Sequence, residues 1–134
     1  MRGPADNAAL TGARILAVED DFVVLLEIAS VLSDAGATVV KCTTIEQALQ
    51  AIDTDTFAAA ILDVRIGRDQ IAPVARKLAD RDTPFAFYTG QVTHEPTMSL
   101  WPHARFVAKP APAAVLVSSV AGLLDSAGPR RHGG

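Results

Sequence analysis

Short apolar runs recur along the chain, separated by segments in which apolar residues have a different spacing. Each run has four to six residues, several of them β-branched or aromatic, and most runs are almost continuously apolar. This pattern is typical of strands that are covered on both faces. The five predicted strands are Arg14–Val18, Thr38–Cys42, Phe57–Leu62, Phe85–Tyr88 and Arg105–Ala108.

Four other segments carry apolar residues at the spacing of an amphipathic helix. Their apolar positions repeat at i, i+3, i+4 and i+7, which places them on one face of a helix. These segments are Leu25–Leu32, Ile45–Ile52, Ile71–Leu78 and Ala113–Leu124. The interval Gln91–Ala104 contains Pro96 and Pro102 and has weak periodicity, so we expect a short or irregular helix there.

The alternation of strands and helices predicts an α/β fold with a parallel sheet and helices on both faces. Five strands suit the flavodoxin-like order 2-1-3-4-5, in which ligands bind at the carboxyl ends of the strands. We assign the domain to residues 13–126. We expect flexible tails at residues 1–12 and 127–134, because both ends are rich in Gly, Pro, Asn or Arg and lack apolar periodicity.

Composition narrows the class of protein. The 134 residues are 49% hydrophobic and 20% charged, which is typical of a globular domain. The net charge of −3, without any basic run, argues against binding of nucleic acid. A single cysteine, Cys42, excludes an internal disulfide, and the longest apolar runs are far shorter than the ~20 residues of a membrane span. These features predict a soluble, cytoplasmic protein that acts away from membranes.

Polar side chains follow the predicted strands at their carboxyl ends, where they can converge on one edge of the sheet. Several carboxylates in one place need neutralisation, and Mg²⁺ prefers such hard oxygen ligands. Asp63 could then act as a nucleophile towards phosphorus, with Thr89 and Lys109 binding phosphoryl oxygens. The residues at these strand ends are Glu19, Asp20, Asp21, Asp63, Thr89 and Lys109.

Four segments in this order resemble the signature segments of the response-regulator receiver domain of two-component signalling: ILAVEDD, AAILDVRIG, FAFYTG and RFVAKP. Their spacing also resembles that family, and the resemblance covers nearly the whole chain. The segment FAFYTG is similar to the Phe-Ala-Thr-Gly motif of a subgroup of stand-alone, single-domain receivers. Tyr88 departs from that motif, which has a small residue at this position.

The resemblance implies a set of roles for the strand-end residues. Asp63 would accept a phosphoryl group from a phosphohistidine on a sensor histidine kinase or a histidine phosphotransfer protein. Glu19 and Asp20 would position Mg²⁺ together with Asp63 and the backbone carbonyl of Arg65. Asp21 would be a neighbour of this metal site rather than a ligand.

The resemblance also implies a conformational switch that a downstream protein partner reads. Thr89 would move towards the phosphoryl group and Lys109 would hold it, with a cis bond before Pro110. Phe106 would change rotamer on activation. Arg65 and Gln91, each two residues after a key residue, would tune the lifetime of the phosphoryl group, which we expect to be lost by slow self-dephosphorylation rather than enzymatic turnover.

Three alternatives remain open at this point. The chain could be an aspartyl-nucleophile phosphatase or phosphotransferase, although Arg65 stands where the common type has a second acidic residue. It could be a degenerate receiver that binds partners without phosphorylation, which the unusual Tyr88 keeps open. It could also be a phosphate sink or a relay shuttle with no effector of its own.

Overall fold

The computed structural model describes residues 9–66, 69–90, 100–101 and 104–133, without the side chains of Asp69 and of residues 126–133. The strands are β1 Arg14–Val18, β2 Thr38–Cys42, β3 Ala59–Leu62, β4 Arg65–Ile66, β5 Asp69–Gln70, β6 Phe85–Thr89 and β7 Arg105–Ala108. The helices are α1 Phe22–Asp34, α2 Ile45–Thr54, α3 Ala72–Asp80 and α4 Ala113–Gly133. None of the described helices is long and apolar enough to cross a membrane.

The main sheet has five parallel strands in the order β2-β1-β3-β6-β7. This arrangement confirms the predicted flavodoxin-like order, since these are the five strands that the apolar runs indicate. The register aligns Val18 at the end of β1 with Cys42 and Leu62 at the ends of β2 and β3. The residues that follow β1 and β3 therefore leave the sheet side by side.

Two apolar cores cover the two faces of the sheet, because successive residues of a strand point to opposite sides. On one side, Ile15 and Ala17 of β1 pack in a cluster with α1 and α4. On the other side, Leu16 and Val18 pack in a cluster with α2 and α3. Burial on both faces explains why the strands read as continuous apolar runs rather than as alternating ones.

The folded region extends beyond the predicted boundary at residue 13. Leu10 lies in the segment predicted as a flexible tail, yet it is fully buried and its N–H donates to the Ala35 carbonyl at 2.8 Å. A single buried leucine produces no periodicity, so the sequence pattern gave no indication of this contact. At the other end, α4 continues to Gly133, through most of the second predicted tail.

Two further features differ from the pattern or lie outside it. The antiparallel pair β4 and β5 was not predicted, because two-residue strands are too short to give a recognisable period. It begins two residues after Asp63 and so places Arg65 beside the carboxyl edge of the sheet. The predicted short or irregular helix in Gln91–Ala104 lies mostly outside the described residues.

Candidate functional site

Two carboxylates lie side by side at the carboxyl edge of the sheet. Glu19 follows β1, and its N–H donates to the Cys42 carbonyl at 3.0 Å. Asp63 follows β3, and its N–H donates to the Val18 carbonyl at 3.0 Å. Both side chains are buried, with 1% of Glu19 and 8% of Asp63 exposed. The sheet backbone thus continues for one residue beyond each strand and fixes the positions of both acidic groups.

A third carboxylate, that of Asp20, completes an acidic cluster with Glu19 and Asp63. One oxygen from each of the three lies within 4.8 Å of the others. Oxygen donors at this spacing fit a hard divalent cation such as Mg²⁺. Asp21 instead caps α1, since its side chain accepts hydrogen bonds from the N–H groups of Val23 and Val24. The acidic cluster therefore comprises the three residues predicted from the sequence and does not include Asp21.

Lys109 links two of these carboxylates. Its Nζ lies 2.5 Å from Glu19 Oε1 and 3.0 Å from Asp63 Oδ2. Its backbone N–H donates to the Thr89 carbonyl at 3.1 Å, which continues the pairing of β6 with β7. The bond between Lys109 and Pro110 is cis, as predicted. A single ammonium group thus neutralises part of the charge that the acidic residues bring together.

Burial controls the electrostatics of this site. Burial raises the pKa of Glu19 from 4.5 to about 7, and the nearby Asp63 charge acts in the same direction, while the hydrogen bond from Lys109 opposes both. Burial lowers the pKa of Lys109, but its hydrogen bonds with Glu19 and Asp63 outweigh that effect and leave the pKa above its usual value. The ammonium group therefore stays charged at neutral pH.

The other predicted site residues surround the acidic cluster or lie outside the described residues. Thr89 ends β6 and is buried at the same edge of the sheet. Phe106 is half-buried on β7 and packs against the cluster that covers the α2 and α3 face. Arg65 is exposed on β4, with its N–H 3.5 Å from Asp63 Oδ1. Gln91 lies outside the described residues.

Tyr88 is the contributor to this site for which the sequence suggested no role. It is buried in β6, and its hydroxyl accepts a hydrogen bond from the Ala111 N–H at 3.1 Å. Its ring centroid lies 5.7 Å from Lys109 Nζ. The only signal in the sequence was the departure from a small residue at this position, and a departure by itself does not indicate which groups the side chain contacts.

Comparisons with known proteins identify the fold. The sequence by itself matches no protein-family model and no curated protein. The structure is similar to a response regulator receiver protein from Sinorhizobium medicae, with a TM-score of 0.78 and 24% identity over 86% of this chain and 96% of that one. It is also similar to a CheY-like receiver domain protein from Methanospirillum hungatei, with a TM-score of 0.80 and 23% identity over 88% and 98% of the two chains.

A third similar structure is the response regulator protein TrrA from Thermotoga maritima, described as a complex with Mg(2+)-BeF. It has a TM-score of 0.74 and 22% identity over 84% of this chain and 99% of that one. The chain therefore has the fold of response-regulator receiver domains, as the four sequence segments indicated. In this fold the acidic cluster, Thr89 and Lys109 occupy the carboxyl edge of the sheet, where ligands of such α/β folds bind.

Proposed function

We propose that this protein is a single-domain, cytoplasmic response regulator that accepts a phosphoryl group on Asp63 from a phosphohistidine donor. The observation that carries the proposal is the placement of Asp63 within one compact group. Its Oδ2 is 3.0 Å from an ammonium group, and two further carboxylates lie within 4.8 Å. A buried carboxylate beside a cation and a set of oxygen ligands for a metal is suited to nucleophilic attack on phosphorus.

In the proposed reaction a carboxylate oxygen of Asp63 forms a bond to phosphorus as the phosphorus–nitrogen bond of the donor phosphohistidine breaks. The electron pair of that bond stays on the ring nitrogen, which takes a proton from water, so that the donor leaves as neutral imidazole. When bound at Glu19, Asp20, Asp63 and the Arg65 carbonyl, Mg²⁺ supplies positive charge against the phosphoryl oxygens. Lys109 Nζ, already 3.0 Å from Asp63, is close enough to contribute a second positive charge.

The consequence of phosphorylation would be a change in a surface that a protein partner reads. Added negative charge recruits hydrogen-bond donors. Thr89 and Lys109 are donors joined through their backbones at 3.1 Å, so a shift of one is transmitted to the other. Phe106 lies on the adjoining strand β7 and would move with them. The phosphoryl group would then be lost slowly by hydrolysis, with Arg65 and Gln91 setting its lifetime.

The test is intact-mass measurement after incubation with Mg²⁺ and acetyl phosphate. We expect one added phosphoryl group on the wild type, none on Asp63→Asn, and normal addition on the exposed control Asp80→Asn. Beryllofluoride with Mg²⁺ should change the fluorescence of Trp101, the only tryptophan, which packs against Phe85 at a centroid distance of 6.0 Å. Absence of both responses would refute phosphorylation and would support the degenerate receiver that binds partners unmodified.

A further inference from the structure

The Tyr88 side chain extends from β6 to the loop after β7, which carries Lys109. Tyr88 is the penultimate residue of β6, in register with Val107 of β7, and 6% of it is exposed. Its side chain belongs to the apolar cluster formed with α1 and α4. The ring therefore approaches the carboxyl edge of the sheet from within the core, so its position is fixed by packing.

The Tyr88 hydroxyl holds the loop between β7 and α4. It accepts a hydrogen bond from the Ala111 N–H at 3.1 Å. Pro110 and Pro112 flank Ala111 and have no N–H, so Ala111 offers the only backbone donor between Lys109 and the start of α4. The Tyr88 hydroxyl oxygen, rather than a backbone carbonyl, thus accepts from the N–H of Ala111, the residue that follows the cis-bonded pair Lys109–Pro110.

The Tyr88 ring contacts the ammonium group of Lys109. The distance of 5.7 Å from the ring centroid to Nζ is within the range of a cation–π interaction. The same Nζ is 2.5 Å from Glu19 Oε1 and 3.0 Å from Asp63 Oδ2. Two carboxylates and one aromatic ring therefore contact the ammonium group, and the ring is the uncharged contact among the three.

We propose that Tyr88 is a positioning residue for Lys109, holding its backbone through the Ala111 hydrogen bond and its ammonium group through the ring. The proposal rests on the function proposed above for the part that concerns phosphorylation. It predicts that Tyr88 accelerates transfer by keeping Nζ where phosphoryl oxygens will be, so its effect operates only through Lys109. A residue with a merely structural role would act whether or not Lys109 is present.

The first arm of the test is NMR of the metal-free protein, which needs no phosphorylation. The Cε protons of Lys109 should show a ring-current shift that persists in Tyr88→Phe and disappears in Tyr88→Leu. Protection of the Ala111 amide from hydrogen exchange should be lost in both variants. Phe87→Leu is the matched control, because Phe87 is the next buried aromatic on β6 but faces the opposite core. It should leave both signals unchanged.

The second arm is the rate constant of phosphorylation by acetyl phosphate with Mg²⁺. We expect a reduction of about fivefold for Tyr88→Phe, from the lost hydrogen bond. Tyr88→Leu should cause a reduction of about tenfold or more, from the loss of hydrogen bond and ring together. In a Lys109→Met background, Tyr88→Leu should cause no further reduction, since interacting residues are not additive.

The outcomes separate the two proposals. An unchanged Lys109 shift in Tyr88→Leu, or a full reduction by Tyr88→Leu in the Lys109→Met background, would overturn the positioning role. A wild type that acetyl phosphate does not modify would overturn the proposed function, while the NMR signals would still decide whether Tyr88 holds Lys109. If Tyr88→Leu fails to fold, the exchange of the Ala111 amide in Tyr88→Phe remains the deciding measurement.

Discussion

Replacing Glu19 by glutamine should make the metal-free protein more stable at neutral and alkaline pH. Glu19 is almost completely buried, and burial raises its pKa from 4.5 to about 7 in the folded protein. A group with a raised folded pKa favours folding most below its unfolded pKa, and this contribution is lost as the pH rises through the folded pKa. For Glu19 this stabilisation is lost between pH 4.5 and about pH 7. Glutamine does not ionise, so the variant loses no stability in this range.

The magnitude follows from the same two values. Each pKa unit corresponds to about 1.4 kcal/mol, so the rise from 4.5 to about 7 makes the ionised form of Glu19 cost about 3 kcal/mol in the folded state. Above pH 8, Glu19→Gln should therefore exceed the wild type by up to about 3 kcal/mol in free energy of unfolding. Below pH 4.5 the two proteins should be nearly equal.

The assay is urea unfolding from pH 4 to pH 9 in EDTA, followed by Trp101 fluorescence, with the exposed Glu27→Gln as the matched control. Adding Mg²⁺ should then stabilise the wild type more than Glu19→Gln, because binding to the folded state raises stability and the variant lacks one charged ligand. A constant difference between Glu19→Gln and the wild type across this pH range would refute the reasoning. So would a variant that is less stable at pH 8.

Three further predictions concern the rest of the fold. Gly36→Ala should lower the free energy of unfolding in urea more than Gly12→Ala does. Both glycines have positive φ (+104° and +82°), but of the two only Gly36 would place a new Cβ against backbone, 2.8 Å from the α-carbon of Thr11. Equal losses of stability in the two variants would contradict this. Cys42 is buried and burial raises its pKa, so its thiol should react with iodoacetamide only as fast as the protein opens. Rapid labelling of Cys42 in the folded protein would contradict this expectation. The hydrogen bond from Lys77 lowers the pKa of Asp53, so the stability that this carboxylate contributes is present above pH 3.8 and is lost as the pH falls below it. Asp53→Asn should therefore be less stable than the wild type near neutral pH and equally stable in acid. A stability difference that stays constant with pH would argue against the Lys77–Asp53 ion pair.

The sequence predicted the sheet because strands that are buried on both faces form nearly continuous apolar runs. Ile15–Val18 of β1 and Phe85–Tyr88 of β6 are unbroken runs without the alternating polar positions that would mark an exposed face, and the helices between the strands keep one apolar stripe each. The alternation of strands and helices predicted a parallel sheet, and the strand order was expected from the known flavodoxin-like pattern of five-stranded α/β folds. The carboxyl ends then had to meet, which brought Glu19, Asp63 and Lys109 together before any distance was known.

Contacts between segments distant in sequence were decided only by the tertiary structure. Leu10 is a single apolar residue in a polar segment, and its burial against Ala35 depends on how the chain enters the sheet. The antiparallel pair β4 and β5, which holds Arg65, has strands too short to show a periodic pattern. Tyr88 stood out in the sequence as an unusual residue. A sequence pattern describes neighbours along the chain, however, and gives no information on contacts with residues far away in the sequence. The contacts of Tyr88 with Ala111 and Lys109 form across a turn between two strands and a helix, where only the folded backbone sets the distance.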